Sequence, residues 1–292
     1  MPETLTNSSE EQGTKKRYLN SIRNLPSIPV VMFEVTKLLD NPMTSTNELG
    51  KIISKDQGLT AKILTVANSP LYGLPRKVST IEFAIVVLGF EQIKNIVIAL
   101  SMIEAFSSKD KDEWNRKQFW IHSLATALGA KRIADDFGLA KTGEAFTAGL
   151  LHDLGISVIQ RYFNKEFKQI VLLVKEKEST YLDAEMQILG MTHMDVGKYL
   201  IERWNLPNSL GEAIAFHHTP SQSENWKELA SVVHLADYMT QRVGVGDYCW
   251  DSFLQLDENI ITILNIGSKS YLDKIIENYE PIFKTDYESI GV

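Results

Sequence analysis

The feature that most constrains this chain is the spacing of its apolar residues, which recur every three to four positions along nearly its whole length. Val31, Val35, Leu38 and Leu39 share one such face, and Leu49, Ile52 and Ile53 share another. Ile81 to Leu88 and Ile93 to Ile103 continue the pattern, and no stretch alternates with the period of two that a half-buried strand needs. The chain therefore reads as all-α. Punctuation fits this. Asn41-Pro42 should stop the first helix, and Ser45 with Glu48 three residues on is a capping box opening the next. Asn68 to Pro75 is rich in turn residues. Further helices are expected near 114–137, 143–160, 164–177, 180–203, 208–217 and 227–241, then a helical tail from Ile260 to Phe283 broken at Gly267-Ser268.

With 292 residues, one large or two modest units are expected. The polar run Ser107 to Asp112 is the natural boundary, dividing an N-terminal helical lobe (21–108) from a second helical lobe (109–292), after a polar lead-in at 1–20. Lys and Arg number 12 against 11 Asp and Glu up to residue 110, and 18 against 26 beyond it. An acidic second half lacks the basic face of a nucleic-acid binder. No apolar run approaches the roughly 20 residues of a membrane helix. The polar N-terminus predicts no secretion signal, and the single Cys249 suits a reducing cytoplasm.

Chemistry concentrates in the second half. All six histidines lie there: His122, His152, His193, His217, His218 and His234. His122 shares a face with Ala125, Thr126 and Gly129; His193 with Val196, Gly197 and Leu200; His217 with Leu210, Ala213 and Ile214. Such faces turn inward, and buried imidazoles need partners. Asp153 directly follows His152, so on a helix the pair would grip from two sides. Asp237 sits in the otherwise apolar stretch Val232 to Ala236. Imidazoles with carboxylates are a normal ligand set for Fe, Mn, Ni or Zn. Against that stands a structural role for each ring: His217 and His218, ahead of Pro220, could favour a helix C-terminus as cations. His234, three residues before Asp237, reads either as a partner behind the ligands or as structural. Gly155 permits close packing. Arg76-Lys77 reads as a solvated loop or an anion contact, and Trp204 as core.

In order, His122, His152-Asp153 and Asp237 resemble the HD superfamily of metal-dependent phosphohydrolases. His193 and the His217-His218 pair resemble the fuller set of its HD-GYP branch, which hydrolyses cyclic di-GMP. Leu25 to Pro29, Ala67 to Gly73, Ala84 to Gly89, Phe119 to Ser123 and Trp204 to Pro207 resemble the HDOD group, the HD-related output domains of bacterial signalling, over roughly residues 22 to 242. The resemblance implies an HD-like helical bundle with an added N-terminal helical lobe. It also implies one ion on His122, His152, Asp153 and Asp237, and a second on Asp153, His193, His217 and His218, with Asp153 bridging. The chain departs from the catalytic branch in three places. Ile156 stands where a lysine is found, Thr219-Pro220-Ser221 replaces the Gly-Tyr-Pro loop, and Gln118 stands where some members have Glu. The expectation is a signalling module that binds a divalent metal, protein partners and a nucleotide. A metal-dependent phosphohydrolase and a metal-free scaffold are the alternatives.

Overall fold

The computed structural model describes residues 18, 19, 22, 30–39, 41–69, 72, 74, 76–106, 116–140, 142–177, 179–246 and 254–284. Among them every regular element is helical, and the all-α expectation holds. The first helices are α1 (Val30–Leu39), α2 (Thr46–Ile53), α3 (Gln57–Ala67), α4 (Ile81–Leu88) and α5 (Phe90–Phe106). The Ser45–Glu48 capping box is present in both directions: the Glu48 amide donates to Ser45 Oγ at 3.2 Å, and the Ser45 amide donates to Glu48 Oε2 at 2.9 Å. Asp56 caps α3 and Thr80 caps α4 in one direction, each side chain accepting an amide that the first turn leaves orphaned. Asn68 explains the turn-rich stretch after α3. Its side chain donates to the carbonyls of Leu64 and Val78 and accepts the Val78 amide at 2.8 Å, closing the loop on itself.

Helices α6 (Arg116–Asp136), α7 (Thr142–Leu151), α8 (Leu154–Tyr162), α9 (Asn164–Lys177), α10 (Tyr181–Leu189), α11 (His193–Arg203), α12 (Asn208–Ala215) and α13 (Lys227–Arg242) follow, with a 3₁₀ turn at Pro220–Gln222. Short α14 (Ile260–Ile263) and α15 (Lys269–Phe283) end the described chain, separated at Gly267-Ser268 as expected. Helix α5 packs on α1, α3 and α4, and also on α7 and α8, so it is a shared wall. Arg161 of α8 adds a hydrogen bond to the Ala105 carbonyl at 2.6 Å. Helices α6, α7 and α13 pack mutually, and α12 lies against α7 and α13.

Two expected helices are each divided. The span 143–160 breaks at His152-Asp153, which form a turn between α7 and α8. The span 180–203 breaks at Gly190, whose φ of +64° ends α10 in the left-handed conformation that favours glycine. A second capping box, Thr192 with Asp195, then starts α11. In both places a ligand-type residue needed a direction that a continuous helix would not give. The boundary expected at Ser107 to Asp112, the segment Leu25 to Pro29 and Cys249 lie outside the described residues. No single described helix is long and apolar enough to cross a membrane; α4 and the body of α5 pass that test only together, at a bend of 117°.

The C-terminal helix is fixed onto α6. Phe283 is fully buried, and a Cβ at Gly129 would lie 2.1 Å from its Cζ, so the ring occupies the space that glycine leaves. Tyr279 Oη donates to Asp136 Oδ2 at 2.7 Å beside it. Phe283→Ala should therefore lower the free energy of unfolding by about 3–5 kcal/mol, read as a shift in the urea midpoint at unchanged slope.

Candidate metal centre

The structure brings all seven candidate ligands, His122, His152, Asp153, His193, His217, His218 and Asp237, into one buried cluster; His218, 7% exposed, is the most accessible. His122 comes from α6 and Asp237 from α13. His152 and Asp153 come from the α7–α8 turn, and His193 is the first residue of α11. His217 and His218 follow α12, which ends at Ala215, earlier than expected. Asp153 stands at the N-cap position of α8 but makes no capping bond, because its carboxylate turns into the cluster instead.

Each oxygen of Asp153 faces a different group. Oδ2 lies 3.2 Å from His152 Nε2 and 3.6 Å from His122 Nε2, and those two nitrogens are 3.2 Å apart. Asp237 Oδ1 completes this group at 3.1 Å from His122 Nε2 and 3.6 Å from His152 Nε2. Oδ1 of Asp153 lies 3.4 Å from His193 Nε2 and 3.6 Å from His217 Nε2, and His218 Nε2 is 3.3 Å from His193 Nε2. Several of these spacings are long for hydrogen bonds. They fit atoms sharing an ion. Two ligands each about 2.1 Å from one ion stand about 3.0 Å apart at a right angle and about 3.4 Å at the tetrahedral angle.

The ring tautomers point the same way. His152 Nδ1 is 2.7 Å from the Gly149 carbonyl, and His217 Nδ1 is 2.7 Å from the Ile214 carbonyl. A carbonyl only accepts, so each Nδ1 carries a proton and each Nε2 is left facing the cluster, the atom that an ion would take once no proton sits on it. His193 does the same through Glu185, whose Oε2 accepts both the His193 amide and Nδ1–H at 2.9 Å. Among the described residues, buried His217 Nε2 has no hydrogen-bond partner, Asp153 Oδ1 lying beyond hydrogen-bond reach at 3.6 Å. Together these residues could hold a divalent metal.

Glu185 escaped the sequence reading. It lies on α10, fully buried on a face with Tyr181, Ala184 and Leu189. A glutamate on an apolar helix face is the same signal that singled out Asp237, and it was there to be read. His234 is placed behind the cluster: Nδ1–H donates to the His217 carbonyl at 2.6 Å. Close approach of backbones holds the geometry. A Cβ at Gly155 would lie 2.0 Å from the His193 carbonyl oxygen, and one at Gly246 (φ +78°) 2.6 Å from the His122 Cβ. Ile156, where a lysine would serve a phosphate, is buried, and Trp204 is half-buried at the end of α11.

Electrostatics without an ion put the proton on His152. Burial works against its charge, but Asp153 and Asp237 outweigh burial and raise it well above the ordinary 6.5. Burial likewise opposes ionisation of Asp153 and Asp237, yet His152 holds both well below the ordinary 3.8. His193 is raised, with Glu185 and then Asp153 overcoming burial. His217 and His218 are lowered by burial, so they are neutral and do not act as cations at a helix end.

Two predictions follow from this packing. Gly155→Ala should cost about 1–3 kcal/mol of stability in urea denaturation, since the backbone of α11 must move. Metal-free protein should lose stability at both ends of the pH range. The contribution of Asp153 and Asp237 is present above their ordinary 3.8 and is lost as pH falls through their depressed values. The contribution of His152 is complete below 6.5 and is lost as pH rises through its raised value. Urea midpoints across the pH range read both limbs.

Comparison with known proteins agrees with this architecture. The HDOD domain model matches residues 25–220. An uncharacterised protein of Treponema pallidum (strain Nichols) is 26% identical over 271 residues, 91% of this chain but 51% of that protein, so the chain spans about half the length of this relative. The crystal structure of an HDOD domain protein of unknown function from Geobacter sulfurreducens is 25% identical, with a TM-score of 0.77 over 98% of this chain and 99% of that one. A provisionally assigned phosphohydrolase from Shewanella amazonensis SB2B superposes with a TM-score of 0.70 at 21% identity, over 94% of this chain and 98% of that one, a likeness of fold. With the family model covering most of the chain and the helical bundle in place, this protein belongs to the HDOD family.

Proposed function

We propose that this chain is a cytoplasmic signalling module that holds two divalent transition-metal ions, Fe, Mn, Ni or Zn, and acts by binding a partner rather than by turnover. His122, His152, Asp153 and Asp237 would hold one ion, and Asp153, His193, His217 and His218 the other, with Asp153 between them. The observation that carries this is the convergence of three imidazole Nε2 atoms, their rings fixed through Nδ1 by Gly149, Ile214 and Glu185, on one buried carboxylate whose two oxygens face different groups. When bound, the metal supplies positive charge in place of the His152 proton, and Lewis acidity toward any oxygen ligand that reaches it. The residues of the chain orient the rings, exclude water and neutralise the charge. In this reading residues 21–108 form a docking lobe for a signalling protein and 109–292 the metal-binding lobe, and a nucleotide is a candidate ligand. The docking role rests on family likeness.

A metal-dependent phosphohydrolase is the second reading, favoured by one observation: the divided carboxylate of Asp153 is what a two-metal site for in-line attack requires. Buried Ile156 and the 3₁₀ turn at Pro220–Gln222 stand against cyclic di-GMP as its substrate. Elemental analysis of tag-free protein purified without chelator, beside His152→Ala/Asp153→Ala, separates the readings. We expect about two ions per chain, lost in the double variant, with binding weakening as pH falls because the ion must displace the His152 proton. We expect no phosphodiester hydrolysis by the loaded protein. Hydrolysis lost in the variant would favour the enzyme. Near-zero metal after reconstitution with Fe, Mn and Zn would leave a helical scaffold.

A further inference from the structure

Behind the cluster stands a histidine that the proposed ligand set does not use. His234 is fully buried on α13, and both of its nitrogens are engaged on main chain. Nδ1 lies 2.6 Å from the His217 carbonyl, which only accepts, so Nδ1 donates. Nε2 receives the Asp257 amide at 2.8 Å, so Nε2 is unprotonated. The two bonds fix one neutral tautomer, in keeping with burial lowering its pKa. Asp257 lies in the segment after α13, beyond the residues that the HDOD model matches. Its carboxylate accepts the amides of Ser221 and Asn259, joining the turn after the His217-His218 pair to the start of α14.

We infer that His234 is a positioning residue that sets the backbone at His217, and that through it the ion site on His193, His217 and His218 depends on the seating of the C-terminal segment at Asp257. This deepens the metal reading and rests on it. The physical reason is that His217 follows the end of α12, in a turn spanned by a single main-chain hydrogen bond, from the Thr219 amide to the Phe216 carbonyl at 3.0 Å. Its ring is anchored by Ile214, but its own carbonyl is held by His234. Removing that donor leaves a buried carbonyl without it and frees the peptide to rotate, which turns Nε2 away from Asp153. The other group, His122, His152 and Asp237, contains no residue that His234 bonds. The loss should therefore fall on one ion. Coupling runs both ways by linkage: filling the site on His217 steadies the bond to Asp257.

The test uses the full chain with Zn and three forms: wild type, His234→Ala and His234→Gln. Glutamine carries one donor and one acceptor at its tip and can reproduce both bonds. We expect His234→Ala to keep the ion on His122, His152 and Asp237 and to bind the one on His193, His217 and His218 about 10–100-fold more weakly; we expect His234→Gln to recover most of that. In wild type, hydrogen exchange at the Asp257 amide should slow when the second equivalent of Zn binds, and the alanine variant should lose that response. Circular dichroism and the retained ion show that the alanine variant is folded. If it is not, glutamine alone decides, by wild-type binding of both ions together with the Asp257 response. Two ions bound by the alanine variant at wild-type affinity, or an Asp257 amide indifferent to Zn in wild type, would overturn the inference while leaving the metal reading intact. Wild type that takes up none of Zn, Fe, Mn or Ni would overturn the metal reading and this inference with it.

Discussion

The structure turns on the burial of one carboxylate among imidazoles. Asp153 is fully buried, and a carboxylate removed from water is costly unless opposite charge or donors meet it. Here the neighbours are rings from α6, α11, the α7–α8 turn and the segment after α12, so the demand of a single group draws most of the second half of the chain together. Its requirements reach into the backbone. Helix α7 stops where His152 and Asp153 must turn inward, α10 stops so that His193 can open a new helix, and Gly155 lets the two new helices touch. The hydrophobic core supplies the bulk of the folding free energy, but the directions of the helices around the cluster follow from where ring nitrogens and carboxylate oxygens must meet.

Much of this was legible in the residues. Helical spacing gave the class, the Ser45–Glu48 box is in place, and the seven candidate ligands meet in space. What was not legible has physical causes. Helix periodicity continues smoothly through His152-Asp153 because the residues on either side are apolar on both helices; the break is set by the tertiary demand on Asp153 and leaves no local mark. Gly190, by contrast, is a readable C-terminal signal inside the expected span 180–203. His217 and His218 look like cations at a helix end until the depth of their burial is known, and burial is a property of the whole fold. The close approach of Gly246 to His122 joins residues distant in sequence, and no pattern within either segment announces it.

The departures from the catalytic branch are consistent with one another. A lysine in place of Ile156 would bring charge to a position that here packs in apolar surroundings, and the turn at Pro220 is anchored through Ser221 to Asp257. By the resemblance these are positions that would serve a phosphate; here they tie helices and the C-terminal segment together, while the imidazoles and carboxylates still meet in one cluster.

Chain order adds one consequence. The cluster draws on α6, the α7–α8 turn, α11, the segment after α12 and α13, so no fragment short of α13 contains it. On a ribosome, or in refolding, contacts between such distant segments form late, after the local helices and their nearest pairings. A ligand set so dispersed differs from that of a small zinc finger, where metal binding and folding are one event. An ion bound here would enter a bundle already assembled, whose carboxylates and imidazoles are solvated in the nascent chain and already buried against one another before it arrives.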